Sequence, residues 1–216
     1  EIECTGCAAC RQKCPQDCID MLPDSEGFLT PVAAPSKCIY CGVCLDTCPE
    51  RVLVVKNTNR QAYLAEGRDK KLIHFSASGG VFATIAKYVI DSLGGSVFGC
   101  AFDRDMRARH IGVQSLEGLA ELQGSKYVQS DIGDSFILCE RHLREGRYVL
   151  FSGTPCQVAG LQRYLGQDHE KLITMDTVCH GVPSPALFER YIRELSLGRR
   201  GRVTSYRFRT REIGRK

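Results

Sequence analysis

The chain has 216 residues, 43% of them hydrophobic, with 29 basic and 25 acidic side chains and a net charge of +4. That length holds one sizeable core and a small appended module. No apolar run approaches the roughly 20 residues of a membrane span, so a chain without a membrane-crossing helix is expected.

The first residues, EIEC, lack the basic and apolar regions of a signal peptide, which predicts a cytoplasmic protein. The missing initiator Met suggests a processed chain or a piece of a longer one. Thirteen cysteines in such a chain point to metal or redox chemistry in place of a disulfide scaffold.

The first element, CTGCAACRQKCP, carries Cys4, Cys7, Cys10 and Cys14, and a second tract, CIYCGVCLDTCP, carries Cys38, Cys41, Cys44 and Cys48. Each cysteine of one tract lies 34 positions from its counterpart, and Pro15 and Pro49 obey the same shift. The pattern C-x2-C-x2-C-x3-C-P is the bacterial ferredoxin run. Thiolates three residues apart on a short loop can wrap three corners of an iron–sulfur cube, and the fourth corner needs a ligand from elsewhere. In two-cluster ferredoxins that ligand comes from the other tract.

The expected ligand sets are therefore Cys4, Cys7, Cys10 and Cys48 for one 4Fe–4S cluster, and Cys38, Cys41, Cys44 and Cys14 for the other. Zinc would favour paired CxxC units with a longer spacer. Cys18, shifted by 34, lands on the apolar Val52, so it reads as a small buried hydrophobe and not as a ligand. Between the tracts, IDML and FLTPV flank PDSEG as a hairpin. These features predict a small α+β two-cluster ferredoxin-like domain over residues 1–57, ending near Lys56, and a polar linker over 58–74.

From Phe75 the pattern alternates. A Gly-rich entry, SASGG, leads into a helix with Phe82, Ile85, Val89 and Leu93 at helical spacing. GSVFGCAFD and RHIGVQS read as strands, and DIGDSFILCERHLREG as a helix with Ile132, Phe136, Cys139 and Leu143 on one stripe. RYVLFSG (strand), TPCQVAGLQRYL (helix), KLITMDTV (strand), SPALFERYIREL (helix) and RVTSYRFR (strand) complete an α/β core over 75–216, with a mixed, largely parallel sheet. Cys100 and Cys139 read as core residues.

Ligands of such sheets bind where strands end and helices begin. Three junctions join small residues to a helix N-terminus: FSASGG (75–80), FSGTPC (151–156) and VCHGVPSP (178–185). Each is also an ordinary helix entry, with Thr154–Pro155 and Ser184–Pro185 as plain cap and first-turn choices. Three together beside a ferredoxin module point to a nucleotide-type cofactor. GSKYVQS (124–130) is a fourth candidate that a solvated turn explains equally well.

Cys156 lies just inside a helix, where the dipole favours a thiolate, and Cys179 precedes His180 and Gly181 at a strand end. Cys179 is a candidate ligand of a further cluster. From Arg193 on, nine basic residues face two acidic ones, so this end carries +7 and the preceding chain −3. The stretch reads as a solvated helix end and an alternating strand, without the aromatic groove or finger spacing that nucleic-acid binding would need.

GSKYVQSD, FSGTPCQVAGL and CHGVPSP, behind the cysteine tracts and SASGG, resemble the beta subunits of coenzyme F420 hydrogenases and dehydrogenases. That resemblance implies an FAD-binding α/β domain. Its flavin would lie against Ser76, Ser78, Gly79 and Gly80 with Lys126 and Tyr127 nearby, and Gly153, Thr154, Pro155 and Cys156 would close the pocket. It also implies further core after the RFR strand, so the domain is expected to continue beyond Lys216.

The expected function is an iron–sulfur flavoprotein oxidoreductase. It would pass electrons between the clusters and a flavin that exchanges hydride with a small molecule, coenzyme F420 or another, and it would work with a redox partner protein or subunit. The alternative is a ferredoxin-type module that relays electrons to a partner enzyme without catalysis of its own. A nucleic-acid binder with structural clusters is a distant third.

Overall fold

The computed structural model describes residues 3–51, 61–197 and 201–209. The expected module end near Lys56 and the first part of the expected linker lie outside these residues, as does the end of the basic stretch from Thr210 on.

The cysteine-rich module is built from two short helices, α1 (Ala9–Lys13) and α2 (Val43–Thr47), and an antiparallel hairpin, β1 (Ile19–Pro23) and β2 (Leu29–Ala33). The hairpin is registered Ile19↔Ala33 to Pro23↔Leu29, and Asp24 closes its turn by accepting the N–H groups of Glu26 and Phe28 at 2.9 Å each.

The larger layer is a mixed four-stranded sheet. Its strands are β3 (Ser96–Phe102), β4 (Ala108–Val113), β5 (Val149–Gly153) and β6 (Leu172–Asp176), in the order β4-β3-β5-β6. β3 pairs antiparallel with β4 and parallel with β5, and β5 pairs parallel with β6. Alternation along each strand decides which helices it meets. Val97, Ala101 and Leu150 face α4 (Val81–Asp91) and α5 (Leu116–Leu122). Phe98, Val149 and Phe151 face α6 (Ser135–Arg144) and α7 (Pro155–Leu165).

The α6 stripe Phe136, Cys139 and Leu143 is buried as its spacing predicts, with Ile132 beside it. On α4 the fully buried line is Ala83, Ala86 and Val89, with Phe82, Ile85 and Leu93 only partly covered. Small side chains let that helix approach the sheet, so its contact line is rotated from the one hydrophobicity alone predicts.

Two elements differ from expectation. The expected linker contains a helix, α3 (Lys70–His74), capped by Asp69 through Lys71 N–H and Leu72 N–H. FSASGG is therefore a helix-to-helix junction and not the end of a strand. Residues 202–208 form no strand. Period two survives in their side chains: Tyr206 and Phe208 pack against Phe188 at the start of α8 (Pro185–Ser196), while Arg207 and Arg209 are exposed. The segment is held by this aromatic packing and not by backbone pairing.

The cysteine-rich module shares a core with the sheet layer. Cys7, Ala8 and Ala9 are buried in the cluster formed by Phe98, Phe136 and Phe151. Gln12 Oε1 accepts the N–H groups of Phe136 at 2.9 Å and Ile137 at 3.3 Å, capping α6 from across the contact. Arg11 pairs with Asp134 at 2.8 Å, and Lys13 donates to the Tyr164 carbonyl at 2.7 Å.

Gln129 is the matching clamp on the other side. Its Oε1 accepts Leu29 N–H at 2.6 Å and its Nε2 donates to Leu29 C=O at 3.2 Å. Gln129→Ala leaves two backbone groups of β2 without these partners, so a loss of about 1–3 kcal/mol is expected in chemical denaturation. An unchanged midpoint would contradict the clamp.

Candidate functional site

The two cysteine loops have the same backbone. Gly6 (φ 71) corresponds to Tyr40 (φ 55), and Ala8 (φ 58) to Gly42 (φ 78). Ala8 and Tyr40 adopt left-handed conformations that side chains with a Cβ rarely take, a cost that requires compensation at the site. The turned backbone brings Gly6 N–H to Cys4 Sγ and Tyr40 N–H to Cys38 Sγ, each at 3.4 Å. Concavities lined by N–H groups of this kind bind anions, iron–sulfur clusters among them. α1 and α2 follow at the same offset, ending at Cys14 and Cys48 in matching extended conformations.

The tracts cross over. Burial raises the pKa of Cys4 and Cys10, and Cys48 lies near enough to both to add to that rise. On the other side, Cys14 Sγ lies 3.4 Å from Cys18 Sγ, and Cys18 in turn contacts Cys38. Burial is the first cause that pushes Cys7 up to about 12 and Cys10 up to about 11. Iron would have to displace those protons on binding.

In the Cys14–Cys18 pair, the Cys18 backbone N–H is the main cause holding Cys14 below the usual thiol value, while the hydrogen bond to Cys14 pushes Cys18 up to about 11. The two sulfurs thus lie within hydrogen-bond reach of each other, with Cys18 outside the expected ligand set. The last cysteine of the second tract thus lies beside the first loop, the arrangement that a four-iron cluster held across the two tracts would need.

A second group of side chains lies at the carboxyl ends of β3 and β5. Buried His110 stacks on Phe151 at 5.4 Å, and its Nε2–H donates to Ser152 C=O at 3.1 Å. That bond leaves Nδ1 to accept the Ser130 hydroxyl at 3.1 Å, and Ser130 Oγ accepts Gln157 Nε2 at 2.9 Å. Gln157 Oε1 takes Thr154 N–H at 3.0 Å. The turn at Gly153–Cys156 is thereby fixed from beneath by β4 and by the 124–130 segment.

Burial lowers the His110 pKa from 6.5 to about 4. The folded state holds this ring neutral while the unfolded chain takes up a proton below about 6.5. The contribution is therefore complete above that pH and is lost as pH falls toward 4, by up to about 3 kcal/mol. His110→Gln is expected to flatten this part of the stability–pH curve. A curve parallel to that of the parent protein would contradict it.

The residues expected at the flavin form two groups joined by one segment. Ser76 Oγ accepts Gln123 Nε2 at 3.2 Å at the end of α5. Lys126 Nζ donates to the carbonyls of Glu121 at 2.8 Å and Gln123 at 2.9 Å in the same place. Burial lowers Lys126 to about 8, with Cys100 beside it. Cys100 is only partly buried and is pushed up to about 11 by desolvation, so it borders Lys126 as well as the core.

Tyr127 is 45% exposed, edge-on to Phe208 at 5.3 Å. Ser78 is exposed, whereas a Cβ on Gly79 would lie 2.9 Å from Ala65 C=O and one on Gly80 3.2 Å from Ile73. Those two glycines are required by close approach of the chain to itself. Gly153, Thr154, Pro155 and Cys156 form the second group, with Thr154 Oγ1 3.0 Å from Cys156 Sγ. The 124–130 segment runs between the groups.

Cys179 stands exposed after β6, its sulfur accepting Gly181 N–H at 3.4 Å. Among the described residues, no three His, Cys, Asp or Glu side chains converge as a single metal ion would need. The structure does not bring Cys179 into either ligand set. Sequence reasoning missed His110, Ser130 and Gln157. Their only signal was polar residues within apolar-patterned elements.

Residues 3–52 match the 4Fe-4S dicluster domain family, and residues 146–215 match the C-terminal region of the coenzyme F420 hydrogenase/dehydrogenase beta subunit. The chain thus carries a 4Fe-4S dicluster domain at its N-terminus and, over residues 146–215, a region similar to the C-terminal part of that beta subunit. It is an iron–sulfur electron-transfer protein.

An uncharacterized ferredoxin of Methanocaldococcus jannaschii is 40% identical over 55 residues, covering 24% of this chain and 82% of the relative. A solved chain of the F420-reducing NiFe hydrogenase complex from Methanosarcina barkeri is 14% identical with a TM-score of 0.49, covering 65% of this chain. This chain spans about half of that one, 53%. Among the described residues no helix is long and apolar enough to cross a membrane.

Proposed function

We propose that the chain is an iron–sulfur flavoprotein oxidoreductase in which two 4Fe–4S clusters exchange electrons with an FAD held at the carboxyl ends of β3 and β5. The observation that carries this reading is the position of the Gly153–Cys156 turn. One side of it is tied to the 124–130 segment through Gln157 and Ser130, and the helix it opens packs against Cys7 of the first cysteine loop. Cys4, Cys7, Cys10 and Cys48 would hold one cluster, and Cys38, Cys41, Cys44 and Cys14 the other. Ser76, Ser78, Lys126 and Tyr127 would line the flavin on one side, and Gly153, Thr154, Pro155 and Cys156 on the other.

Bound there, a flavin would accept or donate a hydride and exchange its two electrons singly with the clusters. The residues of the chain contribute position and charge. Lys126, already desolvated, offers a cation to an anionic group at the end of α5. The His110–Ser130–Gln157 chain holds the turn rigid, and neutral His110 puts no second positive charge beneath it. The hydride donor or acceptor is a small molecule of the deazaflavin class or another, and a redox partner protein serves the clusters.

Anaerobic purification followed by iron, sulfide and released-flavin assays tests the reading. About eight irons and about one flavin per chain are expected. Full iron without flavin would overturn the flavoenzyme and leave an electron relay.

A further inference from the structure

One face of α7 runs along the first cysteine loop. A Cβ on Gly160 would lie 3.0 Å from both Cβ and Sγ of Cys7. One turn earlier on the same face, Cys156 is close enough to Cys4 and Cys7 for its charge to act on both. One turn later, Arg163 donates to the Asp46 carbonyl on α2, and Lys13 reaches the Tyr164 carbonyl. Residues 156, 160, 163 and 164 lie along one side of the helix, and each makes a contact with the cysteine-rich module, Tyr164 through its carbonyl while its ring packs on Phe136. Among the described residues the second loop is more open: Ile39 is 59% exposed, Tyr40 82% and Leu45 48%.

We propose that α7 is the outer wall of the first cluster and that Cys156 is a positioning residue that sets this cluster's potential apart from that of the second. The proposal rests on the two-cluster ligand sets given above. The physics is electrostatic. A cluster with four thiolates is anionic, and reduction adds one more negative charge. Hydrogen-bond donors near the sulfurs favour the reduced form, and water access and net charge act on the same balance. Cys156 places a polarisable sulfur with an available S–H beside Cys4 and Cys7, and its Sγ lies 3.0 Å from Thr154 Oγ1. Gly160 is the position where the helix must lack a side chain for the loop to come this close.

The test is a redox titration of the purified holoprotein followed by electron paramagnetic resonance, with Cys48→Ala used beforehand to identify the first cluster's signal by its loss. Cys156→Val fills the same space without a donor. It is expected to lower the reduced-to-oxidised ratio of the first cluster about tenfold at fixed potential. Cys156→Ser, with a stronger donor, is expected to raise that ratio. The second cluster's titration should be unchanged in both.

If Val disturbs assembly, the Ser variant decides alone. An unchanged first cluster, or equal shifts in both clusters, would overturn the proposal. A parent protein with only one cluster signal would instead overturn the ligand sets on which it rests.

Discussion

Cys48→Ala is expected to remove the cluster of Cys4, Cys7 and Cys10, although Cys48 belongs to the other tract, and Cys14→Ala is expected to remove the cluster of Cys38, Cys41 and Cys44. Each variant should fall from about eight irons per chain to about four. The reason is geometric. A loop with thiols three apart wraps three corners, and the helix that follows it carries its own last cysteine away toward the partner loop. Cys48 accordingly lies beside Cys4 and Cys10, and Cys14 reaches Cys38 through Cys18.

The two variants should also differ in their effect on the fold. The first loop contributes Cys7, Ala8 and Ala9 to the shared core, so losing its cluster should lower the unfolding temperature more than losing the other. Selective loss of the cluster in the same tract as the mutated cysteine would refute cross-tract ligation. Iron content and the magnetic resonance spectrum of each variant decide the matter.

Ser78→Asp is expected to reduce bound flavin from about one per chain to less than about a tenth, with iron unchanged. Ser78 is exposed two residues before the cap of α4, where a new carboxylate would oppose the phosphates of a dinucleotide. Gly80 would be a poorer choice. Its φ of 74 and its approach to Ile73 mean that any side chain there strains the fold, so lost flavin could not be separated from lost structure. Stoichiometric flavin in Ser78→Asp would move the site away from the SASGG junction.

Much of the cysteine-rich module is legible in the sequence because its chemistry dictates spacing. An offset of 34 shared by four pairs of cysteines and a pair of prolines leaves few other arrangements. It reappears as matched dihedrals at Gly6 and Tyr40. Strand and helix alternation is legible for the same kind of reason, since burial on one face repeats at a fixed period.

The contacts that join the parts leave no such trace. Gln12 and Gln129 are polar residues in polar surroundings along the chain, and only the fold reveals that they cap α6 and clamp β2. His110 sits at an inward position of β4 where the pattern asks for an apolar residue. Its tautomer and partners depend on segments 20 to 47 residues away along the chain, Ser130 and Gln157. The 202–208 segment misleads because alternating aromatics and arginines satisfy the strand pattern, yet packing against Phe102 and Phe188 rewards the same alternation without a ladder.

The division of labour between the two cysteine loops also comes from packing. Both loops have equivalent sequences, but among the described residues it is Cys7 of the first that lies directly against the helix opening at the Gly153–Cys156 turn. The second presents Ile39 and Tyr40 outward.

The most direct measurement of the central claim is the number of electrons the purified holoprotein takes up in an anaerobic reductive titration, followed through the visible spectrum. Two one-electron clusters and one two-electron flavin predict about four electrons per chain, with flavin bleaching and cluster reduction both seen. Uptake of about two electrons with no flavin bleaching would contradict the account and identify the chain as an electron relay alone.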